Sequence, residues 1–359
     1  MSLHLFSAVL QVAVIALVCT LATAADIDRP EVLDRPVVKV DQPAKAFLQK
    51  VTRAGERLVA VGEGGIIILS DDDGGVWRQA EAPASVLLTD VAFADAQHGW
   101  AIGHLGVILR TEDGGESWVH QLDGIEAAQL VLEHARQRTA QEDSDDNARA
   151  VRMAEFLVED GPDKPFLTLH VMSSRQALVL GAFGYAVLTM DGGQNWAPVS
   201  DNFENPMGMH YYDIAIDGAD RVVVGERGMV LKYSPDKGYQ AVEQPYEGTL
   251  FGVVSVGNGI FVAYGLRGNA IRSTDAGSTW ALLDTGVTAS LQAGTRLPDG
   301  SLLLAAENGQ LILSRDNGAS FQPQAARSQP TAGLLSLSDK SVLSVGPYGP
   351  QLITLADRK

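Results

Sequence analysis

Cysteine is almost missing from this 359-residue sequence, with Cys19 as the only one. A chain cut after residue 24 or 25 carries no thiol, which excludes disulfides, thiolate metal sites and a cysteine nucleophile. Charge is missing from one stretch: residues 1–25 contain no Asp, Glu, Lys or Arg. There an apolar run from Leu5 to Leu21 leads into Ala22-Thr23-Ala24, followed directly by Asp26, Asp28 and Arg29. Small residues after such a run suit signal peptidase, so 1–25 reads as an export signal in preference to a retained anchor. Val18 is too bulky for the lipobox that would make Cys19 a lipid anchor. Basic residues are in the minority, 27 Lys and Arg against 44 Asp and Glu, for a net charge of −17. That balance disfavours nucleic acid and anionic lipid as partners. A hydrophobic share of 46% with 20% charged residues excludes a disordered chain.

Glycine, by contrast, is abundant and evenly spread, with 37 residues, as expected for many tight turns between short strands. Four copies of one turn motif are clean: Ser70-x-Asp72-x-Gly74-x-x-Trp77, Thr111-x-Asp113-x-Gly115-x-x-Trp118, Thr189-x-Asp191-x-Gly193-x-x-Trp196 and Ser273-x-Asp275-x-Gly277-x-x-Trp280. Ser314-x-Asp316-x-Gly318-x-x-Phe321 replaces the indole, and Ser234-x-Asp236-x-Gly238 lacks the final aromatic. In such a turn the Ser/Thr and Asp oxygens accept amides of their own loop, glycine takes positive φ, and the aromatic wedges against a neighbouring sheet. The six Asp residues therefore read as structural and not catalytic.

A Gly-x-x-Gly turn precedes each box, beginning at Gly62, Gly103, Gly181, Gly225 and Gly265, with a relaxed copy at Ala306 and a seventh at Gly346. The repeat of roughly 40 residues suits a four-stranded propeller blade, and the count is seven. One interval holds about one extra period, and 124–165 within it reads as a helical insertion. Ala127, Leu130, Val131 and His134, and later Ala150, Met153, Ala154 and Leu157, follow helical spacing. Glu142–Asp146 breaks the two helices apart, with Asp145 or Asp146 as the expected cap. The expected architecture is an all-β, seven-bladed propeller over 46–359 with a helical hairpin insertion. The segment 26–45 precedes it, and its Pro36–Val40 stretch is expected to complete the seventh blade by N- and C-terminal strand closure.

These motifs resemble the BNR/Asp-box propellers and, within them, the photosystem II stability and assembly factor family. Ala94–Gly103, which contains His98-Gly99-Trp100-Ala101-Ile102-Gly103, is similar to that family's blade signature. The resemblance implies an exported, non-catalytic scaffold that holds a membrane-protein or assembly-complex partner, without nucleic acid, cofactor or metal. Its place would be the periplasm or, in a photosynthetic host, the thylakoid lumen; in another host the partner would be a membrane transporter or envelope complex. The family's arginine-rich patch is matched only by Arg227 and Arg267.

The two kinds of turn fall at opposite ends of the ring. The Gly-x-x-Gly end gathers the candidate partner-binding residues His104, Phe183, Tyr211, Glu226, Arg227, Arg267, Glu307, Asn308 and Tyr348. The Met- and aromatic-rich loop Asn202–Tyr211 is expected there too. Mixed aromatics and arginine suit a polypeptide-binding surface, with Glu226 or Glu307 available to neutralise the arginines. His98, His104 and His210 show no metal-ligand spacing. The alternative, a sialidase-like glycoside hydrolase, requires three arginines on a carboxylate, and this end supplies two.

Overall fold

The computed structural model describes residues 29–355; the export segment expected at 1–25 lies outside them. Seven antiparallel sheets follow one another, spanning 48–79, 88–122, 166–198, 211–241, 250–283, 291–327 and 333–354, and their strands are ordered as in the chain. Each is one blade. The innermost strand of each touches that of the next, and Gly333–Ser338 of blade seven touches Leu48–Ala54 of blade one. The sheets thus form a closed ring of seven.

The second strand of each blade carries the core. Runs such as Leu58–Val61, Val222–Val224 and Leu302–Ala306 are fully buried on both faces, because each blade is sandwiched between two others. Aliphatic and β-branched residues suit that position, and each buried Val, Leu or Ile contributes about 1.5–3 kcal/mol.

Five boxes are built as the motif predicts. In blade one the Ser70 hydroxyl donates to Asp72 Oδ1 at 2.7 Å and accepts Gly74 N at 2.9 Å, while Asp72 Oδ1 accepts Val76 N at 2.9 Å. The same bonds recur around Asp113, Asp191, Asp275 and Asp316. Each ring enters the core shared with the preceding blade, as Trp118 does beside Leu69.

Blade four departs from this. One extra residue separates Gly228 from Ser234, and a tight turn pairs Ser234 with Gly238 directly. Asp236 makes none of the box hydrogen bonds. The missing aromatic is supplied out of register. Lys232 pairs with Gln240 as Leu69 pairs with Arg78, so Tyr239 stands where Trp77 stands in blade one. Tyr239 is buried and stacks on Phe203 at 4.3 Å.

The insertion between blades two and three is a helical hairpin, α1 (Gly124–Gln141) and α2 (Asp145–Asp160). A capping box starts α1: Asp123 Oδ1 accepts Ile125 N and Glu126 N, and Glu126 Oε2 accepts Asp123 N. Ser144, not Asp145 or Asp146, caps α2. Its backbone is extended and its hydroxyl accepts Asn147 N, while the two carboxylates lie in the first turn and face the positive end of the helix dipole. Leu132, Ala135 and Ala154 join the helices, and Ala127, Leu130 and Val131 seat α1 on blades two and three.

The expected strand closure is not what the chain does. Blade seven has three strands, and Pro36–Val40 pairs with none of them. The segment finds its partners on blade one: Val37 N donates to Ala82 O, Val40 N to the Gln79 side chain, and Gln79 Nε2 to Val38 O, each at 3.0 Å. Residues 29–46 form a strap. Arg29 pairs with Asp123 at the base of α1 at 2.5 Å, Leu33 is buried between blades one and two, and Ala44 lies against Gly349 of blade seven. The seam between blades seven and one closes by packing of Leu48, Ala60 and Ile68 on Leu343 and Val345.

Candidate functional site

The Gly-x-x-Gly turns define one end of the ring. In six blades the residue after the first turn position donates its amide to the carbonyl just ahead of that blade's innermost strand: Glu63 to Phe47, His104 to Leu87, Ala182 to Pro165, Glu226 to His210, Leu266 to Thr249 and Glu307 to Ser290. The turn is thereby pinned beside the connection arriving from the previous blade. Its second glycine sits hard against backbone in all of these but blade three, where Gly184 faces the Asn205 side chain. A Cβ on Gly268, at φ +72°, would lie 1.9 Å from Val287 O, and one on Gly349 would lie 1.7 Å from Ala44 O.

The residue between these fixed points is pushed outward. Leu105, Phe183, Arg227 and Arg267 all adopt left-handed backbone, with φ of 54–57°. Holding a bulky side chain there costs about 1–2 kcal/mol per residue, and the pinned turn enforces it. Phe183, Arg227, Arg267, Asn308 and Tyr348 are all exposed, one per blade, and His104 and Glu307 are exposed beside them. Phe183 and Tyr348 leave more than half their surface in water.

The expected neutralisation of the arginines does not occur. Glu226 accepts His210 N at 3.3 Å, Glu307 accepts Ser290 N at 3.2 Å, and Glu63 accepts Phe47 N at 3.0 Å. These carboxylates brace the start of the innermost strand within their own blade. No ion pair among the described residues involves Arg227 or Arg267.

Tyr211 does not belong to the surface. It is fully buried beside Phe203, and burial pushes its hydroxyl up to about 12. The innermost strand of blade four starts there, and alternation sends Tyr211 inward and its neighbours outward. Those neighbours were missed in the sequence. Phe183, His210, Tyr212 and Phe251 form an edge-to-face chain, with ring centres 4.8, 6.3 and 5.9 Å apart, across blades three to five. Burial, then the Glu226 charge, raises the Tyr212 hydroxyl above its ordinary value. Lys164 lies over the outer face of Phe183 at 5.5 Å.

A groove of about 610 Å³ continues this surface under the helical insertion. Arg149, Met153 and Leu157 of α2 form one wall, and Phe183, Pro206 and Gly208 the other. The loop wall is braced by Asn205, whose side chain accepts Met209 N and donates to Met209 O. Met153 and Met207 are exposed. Helical spacing had suggested a core position for Met153, but α1 covers only the Ala154 side of α2.

Several charged groups elsewhere are occupied by construction. In the innermost strands Asp90 Oδ2 accepts Leu169 N and Asp213 Oδ2 accepts Val253 N, each tying one blade to the next. Lys50 lies 3.7 Å from Asp90, which raises the lysine's pKa. His98 pairs with Asp95 in a turn at the box end, away from His104 and His210. His120, Asp123 and Glu126 come close together, but Asp123 caps α1 and pairs with Arg29, and Glu126 completes the capping box. The box carboxylates are held by their own loops. Hydrogen bonds from Asn195 and Thr189 bring Asp191 to about 2, and bonds from Thr279 and Ser273 do the same for Asp275. For Asp316 burial acts upward, but bonds from Ser320 and Ser314 outweigh it and leave the group at about 2.

Residues 69–136 match the family model described as photosynthesis system II assembly factor YCF48. The chain is 25% identical over 273 residues to the chloroplastic photosystem II stability/assembly factor HCF136 of Oryza sativa subsp. japonica, covering 68% of this chain and 57% of the relative. It is 22% identical over 244 residues to the photosystem II assembly lipoprotein Ycf48 of Synechococcus sp. (strain CC9902), covering 67% and 63%. In both alignments the chain spans less than two thirds of the relative's length. Among solved structures, one described as YCF48 bound to D1 peptide superposes with a TM-score of 0.63 at 16% identity, covering 90% of this chain and all of that one. YCF48 from Cyanidioschyzon merolae gives 0.62 at 13% identity, covering 89% and 98%. At such identity the structures establish the shared propeller fold. The curated relatives are named for assembly and stability, and nothing in these likenesses favours a glycoside hydrolase.

Proposed function

Because this chain is a relative of the photosystem II stability and assembly factors, we propose that it is an exported, non-catalytic scaffold that binds a membrane-protein or assembly-complex segment at its Gly-x-x-Gly end. The observation that carries this reading is the pair Arg227 and Arg267. Both are exposed, held outward by left-handed turns and free of ion pairs among the described residues, beside the aromatic chain from Phe183 to Phe251. Arginine next to partly exposed aromatics is the composition of polypeptide-binding hot spots, and an unpaired guanidinium is ready for a carboxylate. One structural relative is described as bound to a peptide of D1, which is the class of partner proposed here. His104, Asn308, Glu307 and Tyr348 extend the surface around the ring. Glu226 acts by bracing the turn that carries Arg227, and Tyr211 by anchoring the strand that presents Tyr212.

The compartment is the periplasm or, in a photosynthetic host, the thylakoid lumen. The leader-like sequence at 1–25 and the relatives' names, one chloroplastic and one a lipoprotein, support this. No helix among the described residues is long and apolar enough to cross a membrane. Affinity capture from detergent-solubilised membranes of the native host is the test. The wild-type chain should retain a membrane complex that Arg227→Glu/Arg267→Glu loses. Equal retention by both chains would refute the assignment of the site.

A further inference from the structure

The seam between blades three and four is where the repeat departs from itself. In the five blades with a full box, that box lies over the seam with the preceding blade: a Cβ on Gly277 would meet Val222, one on Gly318 would meet Val262, and Trp280 and Phe321 enter those cores. Blade four has only the short turn Ser234–Gly238, and its seam keeps an open pocket of about 460 Å³. Leu178, Leu188 and Met190 of blade three face Tyr233 and Tyr239 of blade four across it, with Phe203 from the connecting loop.

Three features of this pocket point to one kind of occupant. Its walls include π-faces and thioethers: Phe203 and Tyr239 are stacked within 3° of parallel, Tyr233 lies 5.1 Å from Tyr239, and Met172 and Met190 line it too, with Asp201, Asp236 and Lys237 as polar parts of the same lining. Sulfur and ring edges favour another aromatic over an aliphatic group of equal size. A cation is already in place, with the Arg221 guanidinium 4.6 Å over the Tyr233 ring. Finally, the Tyr239 hydroxyl is buried with the Arg221 guanidinium as its polar neighbour and no well-formed hydrogen bond among the described residues. An incoming acceptor would give the hydroxyl and the guanidinium a common partner.

We propose that this seam pocket binds a single aromatic ring carrying a hydrogen-bond acceptor, the ring between Tyr239 and Leu188 and the acceptor toward Tyr239 Oη and Arg221. The site is on the outer part of the seam and is independent of the arginine-bearing end. The ring has two sources, a free small molecule or an aromatic side chain of a polypeptide, and the probes separate them.

Saturation-transfer NMR on residues 26–359 with indole-3-acetate and N-acetyltryptophanamide tests the proposal. Transfer to both supports the site with a side-chain source, and transfer to indole-3-acetate alone supports it with a small-molecule source. Cyclohexaneacetate, with the same acceptor and no π-face, should bind at least about tenfold more weakly. Leu188→Trp fills the pocket and should weaken indole-3-acetate about tenfold; Met190→Trp does the same from an exposed position that spares folding. Arg227→Glu/Arg267→Glu should leave this binding unchanged, so the outcome is separate from that of the scaffold reading. No transfer to either aromatic probe up to about 10 mM, or undiminished binding in both Trp variants, overturns the proposal.

Discussion

The two ends of the ring are made by the same repeat, yet their side chains are used in opposite ways. At the box end, five Asp carboxylates and their Ser or Thr partners are consumed by amides of their own loops. At the other end the backbone and three Glu side chains do the bracing, and Arg227, Arg267 and Tyr348 stand exposed at the tips of their turns. The box repeats its residues because geometry demands them. The tips vary from Gly64 through Leu105, Phe183, Arg227, Arg267 and Asn308 to Tyr348, because geometry demands only that something point outward. Repetition marks construction here, and the variable tips are where recognition is proposed.

That contrast can be broken most forcefully at the frame itself. Gly268→Ala places a Cβ against Val287 O in left-handed backbone, and urea denaturation should show a loss of about 3 kcal/mol or failure to fold. A loss below about 0.5 kcal/mol would show that the turn is not pinned. Next comes recognition: Arg227→Glu/Arg267→Glu should weaken partner binding about 100-fold, roughly 2.7 kcal/mol, with an unchanged unfolding midpoint. A shifted midpoint would move these arginines from the recognition side to the construction side.

At the box end the effects reverse. Ser273→Ala removes the acceptor for Gly277 N and the donor to Asp275, and should cost about 1–2 kcal/mol of stability while partner affinity stays constant. Acid should act on this end through the same carboxylates. A carboxylate whose pKa is lowered on folding binds its proton more readily in the unfolded chain. Its stabilisation is complete above the ordinary value near 4 and fades as pH falls toward about 2, the value for Asp191, Asp275 and Asp316. Melting temperature should therefore drop between about pH 4 and pH 2, less steeply in Asp275→Asn than in wild type. The smallest effect belongs to Asp236→Ala, within about 0.5 kcal/mol, because that residue makes no box hydrogen bonds.

Periodicity made the ring legible from sequence, since a glycine that cannot carry a Cβ and an aromatic that must fill a seam leave marks at fixed spacing. The helical insertion was legible for the same reason, though Ser144 took the cap because its backbone, not its charge, was suited to it. The rest depended on contacts that spacing does not encode. Tyr239 replaces the box aromatic through one added residue in one strand and a shorter turn, a shift that cancels only in three dimensions. Tyr211 and Tyr212 are adjacent and both aromatic, and only the strand's register decides which faces water. Glu226 and Glu307 looked like partners for arginine until their carboxylates were found on backbone amides in their own blades.

The strap over blade one gives the ring a mechanical dependency. A propeller sealed by a shared strand opens only when a ladder of hydrogen bonds tears. This one is belted: residues 29–46 reach from the Asp123 pairing at the helical insertion to the Ala44 contact with Gly349 across the closing seam. Slackening the belt at either buckle therefore loosens two distant parts of the molecule together, the seating of the helices over their groove and the last joint of the ring.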